Sequence, residues 1–308
     1  MSQIFAIGGG KGGSGKSFIT ANLGVLLSKK NHSVVVVDLD LGCSNLHTLL
    51  GIKNPRKGAN DFLDKSVKNL HQVAVPTSLP KLSLISTMNC SMEIANLYHA
   101  QKLKLIKAIK RLPFDVVFLD LGAGTSYNTL DFFLAAEKGL FVFTPEPTSI
   151  ENTFRFIKAI YLRKLKQILK KEPFIVLIQK MVDRGEDRKI SSPAQVLSVF
   201  QKHDPSIGRM LERKLYDLRF QLLMNQFRKQ TDPLMGERIA TLCNRYFYSS
   251  FHFLGNVDYD ERVHDAVSSQ KIYVATYPYT ITAMNLQKVA DQVMVSENPA
   301  GGLRETSS

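Results

Sequence analysis

Short apolar runs and helix-spaced repeats alternate along the chain from its start. Residues 4–7 are apolar and end in three glycines, after which residues 17–29 place Ile19, Leu23, Leu26 and Leu27 at helical spacing. Residues 33–38 (SVVVVD) and 115–120 (DVVFLD) are continuous apolar runs without alternation, as parallel strands buried on both faces require. Residues 81–86, 139–144, 219–225 and 251–260 predict four more strands. Between them, residues 96–111 carry Leu97, Leu103, Ile106 and Ile109 on one helical face, and a closing helix follows near residues 278–294. Residues 52–80 mix Pro55, Gly58, Asn60 and Pro76 with short apolar groups and predict loops and short helices. Strand and helix in turn predict an α/β fold: a doubly wound, mostly parallel sheet flanked by helices.

Composition narrows this. A chain of 308 residues, 44% hydrophobic, suffices for one large domain, expected over residues 1–295 with a flexible polar tail at 296–308. No run reaches the ~18 apolar residues of a membrane span and no signal-peptide pattern precedes the first strand, so a cytoplasmic protein is expected. Cys43, Cys90 and Cys243 are odd in number and far apart, which suggests neither a disulfide framework nor a C-x-x-C metal site. The net charge of +13 fits an acidic partner such as nucleic acid or anionic lipid, or simply a solvated basic surface.

The chemistry begins where the first strand ends. Gly10 to Gly15, Lys16 and Ser17 fit G-x-x-x-x-G-K-[ST], a phosphate-binding loop opening onto a helix N-terminus. Gly10, Gly12, Gly13 and Gly15 let the backbone around Ser14 turn its N–H groups onto phosphates, Lys16 would reach the β and γ phosphates, and Ser17 would sit on Mg²⁺. Asp38 and Asp40 lie just past the second strand, with Asp120 at the end of DVVFLD, where open α/β sheets place ligands. Gly122 and Gly124 follow Asp120 and free the backbone to sense the γ-phosphate.

Lys11 makes the loop K-G-G-x-G-K-[ST], which resembles the deviant Walker A of the MinD/ParA class of P-loop ATPases. DLDLGCSNL, DLGAG and TPEPTS resemble the FlhG/FleN branch, whose members set flagellar number and placement. The resemblance covers about four-fifths of the chain and implies ATP and Mg²⁺ as cofactors. It makes Lys11, Lys16 and Asp40 catalytic, with Lys11 reaching the nucleotide of the other subunit in an ATP-state homodimer and Asp40 orienting water. It puts Ser17, Asp38 and Asp120 at the metal, Gly124 at the γ-phosphate and Asn225 on adenine, and leaves one α-phosphate contact in doubt at Phe18, where many relatives carry a hydroxyl residue.

Residues 151–214 are expected to be a helical basic insertion. Residues 153–171 form an amphipathic pattern with Phe154, Ile157, Ile160, Tyr161 and Leu165 apolar and Lys158, Lys164, Lys166, Lys170 and Lys171 basic. Residues 151–245 hold 20 Lys and Arg against 10 Asp and Glu, a net of +10. The segment reads either as a docking platform for a protein partner or as sheet-covering scaffold. The tail after Val295 is polar, with only Arg304 basic, so no autonomous membrane anchor is expected, and a partner would recruit the protein to a pole, membrane or nucleoid. The resulting expectation is an ATP-driven dimerising switch that positions or counts a structure such as a flagellum or pilus. The alternatives are a ParA-like nucleoid-binding ATPase and a metabolic phosphotransferase.

Overall fold

The computed structural model describes residues 2–41, 44–87, 98–169, 197–198, 200–202 and 204–295. Eight strands form one sheet: β1 (Gln3–Gly8), β2 (Val34–Leu39), β3 (Val75–Pro76), β4 (Leu82–Ile85), β5 (Val116–Leu121), β6 (Lys138–Phe143), β7 (Arg219–Phe227) and β8 (Ser250–Asp258). Their order is β3-β4-β2-β5-β1-β6-β7-β8, and every neighbouring pair is parallel except β3 with β4.

The helices described are α1 (Lys16–Lys29), α2 (Leu46–Leu49), α3 (Ala59–Leu63), α4 (His99–Ile109), α5 (Tyr127–Phe133), α6 (Pro147–Leu169), α7 (Pro205–Tyr216), α8 (Met235–Tyr246), α9 (Arg262–Ser268), α10 (Tyr273–Thr276) and α11 (Ile281–Val293). The period of two along the strands divides the core. Val35, Val37, Val117 and Leu119 pack under α4 to α8, whereas Val34, Val36, Val116 and Phe118 pack under α1 and α11. None of the helices among the described residues is long and apolar enough to cross a membrane.

Helix α6 starts earlier than the amphipathic pattern at 153–171 suggests. Proline lacks the N–H that the first turn leaves unsatisfied, so Pro147 opens the helix and Thr148 lies inside its first turn. Ser149 Oγ accepts the Thr144 N–H at 3.0 Å and ties this start to the end of β6. Phe156, Ile157, Ile160, Tyr161 and Leu165 are buried in the main core, so the apolar face of this basic helix covers the sheet. The rest of the expected insertion at 170–196, and the tail at 296–308, lie outside the described residues.

Candidate nucleotide site

Strand β1 stands between β5 and β6 at the point where strand order reverses, the crevice where doubly wound sheets bind ligands. The loop leaving it enters α1 through Gly15 at φ 86°, a left-handed conformation. A Cβ on Gly15 would lie 2.1 Å from Asn225 Nδ2, so both the turn and the close approach of β7 require glycine. Lys11, Gly12 and Gly13 are exposed, but Ser14 and Lys16 are buried, and the Ser14 hydroxyl has no hydrogen-bond partner among the described residues. A buried hydroxyl pointing at no acceptor fits a ligand oxygen.

The two loop lysines differ in kind. Lys16 Nζ lies 3.3 Å from the Lys11 carbonyl inside the loop, and burial pushes its pKa down against the pull of Asp120 and Asp40. Lys11 Nζ instead leaves the loop along the surface to Thr148 Oγ1, 3.3 Å away on α6.

Asp38 and Asp120 are register partners on β2 and β5, each only 1% exposed. Burial pushes Asp120 up to about 7, reinforced by Asp38 and opposed by hydrogen bonds from Ser17 and Thr20. Burial likewise pushes Asp38 up to about 6, opposed by Ser44 Oγ at 2.6 Å and the N–H groups of Leu46 and Asp40. Asp40 sits less deeply, against the loop after β5, where a Cβ on Gly122 would meet its Oδ1 at 2.9 Å. Gly124, at φ 91°, lies in that loop, which passes directly into α5 through the Ser126 cap.

Two carboxyls held out of water beside Lys16 and Ser17 fit a divalent cation, whose charge would replace the missing solvation. Among the described residues no cluster of three or more His, Cys, Asp or Glu could hold a metal alone, so phosphate and water would complete the shell, as suits Mg²⁺.

This geometry meets a sequence match over residues 5–273 to the CobQ/CobB/MinD/ParA nucleotide binding domain. The chain belongs to that family. It is 27% identical to the antiactivator FleN of Pseudomonas aeruginosa over 98% of this chain and 90% of that one. Its fold matches the septum site-determining protein MinD of Pyrococcus horikoshii, solved with Mg-ADP, at TM-score 0.63 and 19% identity over 96% of each chain. It also matches the MinC:MinD cell division complex of Aquifex aeolicus at TM-score 0.64 and 17% identity, over 97% of this chain and 99% of that one.

Within this MinD/ParA-type site, the structure brings Gly10 to Ser17, Asp38, Asp40, Asp120 and Gly124 to one end of the sheet. Phe18 differs: its ring is in the core, edge-on to Tyr273 at 5.3 Å, so only its backbone is available to a ligand. Asn225 Nδ2 donates to the Ser14 carbonyl at 2.9 Å, linking the end of β7 to the loop. Beyond it a cavity of about 580 Å³ opens at the ends of β7 and β8, where the Arg228 guanidinium lies 3.9 Å over the Tyr259 ring.

Thr20 escaped the sequence reading. Its hydroxyl donates to the Lys16 carbonyl at 2.8 Å and meets Asp120 Oδ1 at 3.0 Å. Helical spacing was the available signal, since residue 20 lies one turn below Lys16 and Ser17.

Proposed function

We propose that this chain is a Mg²⁺-dependent ATPase that dimerises when ATP is bound and, in that state, engages a protein partner to position or count a cell structure such as a flagellum or pilus. The observation that carries the reading is the opposite placement of the two lysines, Lys16 buried in the loop and Lys11 exposed along its rim. A lysine committed to its own nucleotide belongs inside; one that serves a second subunit must be free to leave the surface. The FleN likeness over nearly the whole chain supports the cellular role, and the MinC:MinD complex supports a partner-binding state.

In this mechanism the N–H groups around Ser14 and Gly15 and the Lys16 ammonium hold the phosphates, while Ser17, Asp38 and Asp120 hold the cation directly or through water. Bound Mg²⁺ would supply charge neutralisation on the phosphates. Asp40 orients the attacking water. Gly122 and Gly124 sense the γ-phosphate and pass its loss to α5. The adenine lodges toward the cavity of Arg228 and Tyr259, whose volume lies in the range of ligand pockets. The basic face of α6 and the residues up to 214 serve as the partner platform.

The test is light scattering after gel filtration with Mg-ATP, Mg-ADP and no nucleotide. A dimer with ATP alone, together with phosphate release, supports the reading. A chain that stays monomeric with Mg-ATP overturns it.

A further inference from the structure

The end of β7 holds the phosphate loop at two adjacent points. Asn225 Nδ2 donates to the Ser14 carbonyl at 2.9 Å, and Gln226 Nε2 donates to the Gly13 carbonyl at 3.0 Å. Consecutive side chains of a regular strand point to opposite faces, so neighbouring residues cannot normally reach one loop. Gln226 does so because its backbone is left-handed, at φ 57°, inside the register shift that separates Met224 from Phe227. Such a conformation is uncommon for a residue other than glycine, asparagine or aspartate, and it persists only where the surroundings enforce it.

The consequence follows from the planar trans peptide, in which N–H and C=O point in opposite directions. Fixing the Gly13 carbonyl toward β7 turns the Ser14 N–H away from it, and fixing the Ser14 carbonyl does the same for the Gly15 N–H. We infer that Gln226 is a positioning residue for phosphate binding: with Asn225 it sets two successive peptide planes so that the N–H groups of Ser14 and Gly15 face the phosphates before the ligand arrives. The strain at Gln226 is the means by which a second amide is brought to the same side as Asn225. This inference rests on the nucleotide reading of the site.

The experiment compares wild type with Gln226→Asn, measuring binding of ADP, inorganic pyrophosphate and AMP by calorimetry, and thermal stability. Asparagine accepts the left-handed backbone better than glutamine but is one methylene too short to reach Gly13. The variant is therefore expected to melt at or above the wild-type temperature, yet bind ADP and pyrophosphate about three- to tenfold more weakly, the loss of one hydrogen bond. AMP, whose single phosphate leaves most of the loop unused, should change by less than about twofold. Gln226→Glu, which keeps length but sets a carboxylate against a carbonyl, should weaken pyrophosphate further. Unchanged pyrophosphate affinity in Gln226→Asn overturns the inference, as does an equal loss for all three ligands. A wild type that binds neither ADP nor pyrophosphate overturns the nucleotide reading itself.

Discussion

Asp38 and Asp120 sit side by side at the ends of β2 and β5, two buried carboxyls on paired strand positions with Lys16 and Ser17 above them. Both pKa values are raised from 3.8 by burial, to about 6 and about 7, so the folded chain retains protons that the unfolded chain has released. The folded state then binds more protons, and this pair's contribution to stability falls as pH rises from about 4 toward 7. Without nucleotide or Mg²⁺, Asp120→Asn should gain stability relative to wild type on going from pH 5 to pH 7.5 in thermal melts. A stability difference between the two proteins that does not vary with pH would exclude the raised values.

Lys11 and Thr148 lie 3.3 Å apart on the surface, a contact weak enough to exchange for a partner. Thr148→Val should change stability by less than about 0.5 kcal/mol, as exposed substitutions do, and leave ATP-dependent dimerisation intact. Lys11→Ala should keep ATP binding but lose the dimer, whereas Lys16→Ala loses binding as well. Asp40→Ala should accumulate the ATP-bound dimer, because closure needs no oriented water. Light scattering with a labelled nucleotide separates these outcomes.

The fold was legible because its strands are buried on both faces. Runs such as SVVVVD and DVVFLD admit little else, and each ends in a carboxylate at the ligand end of the sheet. The phosphate loop was legible for a similar reason, since its glycines and lysine answer a local demand. What stayed hidden depends on distance in sequence or on backbone angles. Gln226 bonds a carbonyl 213 residues away through a left-handed turn that no residue pattern announces. Thr20 looked like an ordinary helix residue until β5 brought Asp120 to it. The amphipathic pattern that starts at residue 153 was legible too, since over its described part, to residue 169, Ile157, Ile160, Tyr161 and Leu165 are core, as sheet cover requires.

Gly10 and Gly12 differ by two positions in the same loop and should respond unequally to alanine. A Cβ on Gly10 would lie 2.0 Å from the Asn152 carbonyl oxygen, a backbone atom that cannot rotate away. A Cβ on Gly12 meets nothing within 4 Å among the described residues. Gly10→Ala should cost more than about 3 kcal/mol, beyond ordinary overpacking, because α6 itself must shift. Gly12→Ala should leave the melting temperature nearly unchanged. Denaturant titrations of the two variants check this, and equal stability would mean that α6 does not pack on the loop as described.

Asp131 on α5 gathers three helices onto one carboxylate. Arg163 of α6 binds it through Nε and Nη2 at 2.6 Å each, Gln167 donates at 2.8 Å, and Lys102 of α4 completes the group as an ion pair. Hydrogen bonds and charges from Arg163 and Lys102 outweigh burial and hold Asp131 below the usual carboxylate range. The Asp131 and Lys102 side chains are each 6% exposed, so removing the carboxylate strands two cations away from water. Asp131→Ala should therefore cost about 3–5 kcal/mol, the usual loss when one member of a buried pair is deleted. The exposed pair Glu151–Arg155 also lies on α6, one turn apart, and Glu151→Ala should cost no more than about 0.5 kcal/mol. Because α5 begins directly after the Gly122–Gly124 loop, Asp131→Asn adds a functional readout. It loosens α5 from α4 and α6 and should blunt the difference in α6 hydrogen exchange between the ATP and ADP states. If that difference survives at its wild-type size, the nucleotide signal reaches α6 by another route, and the contact of Asn152 in α6 with Gly10 becomes the path to test.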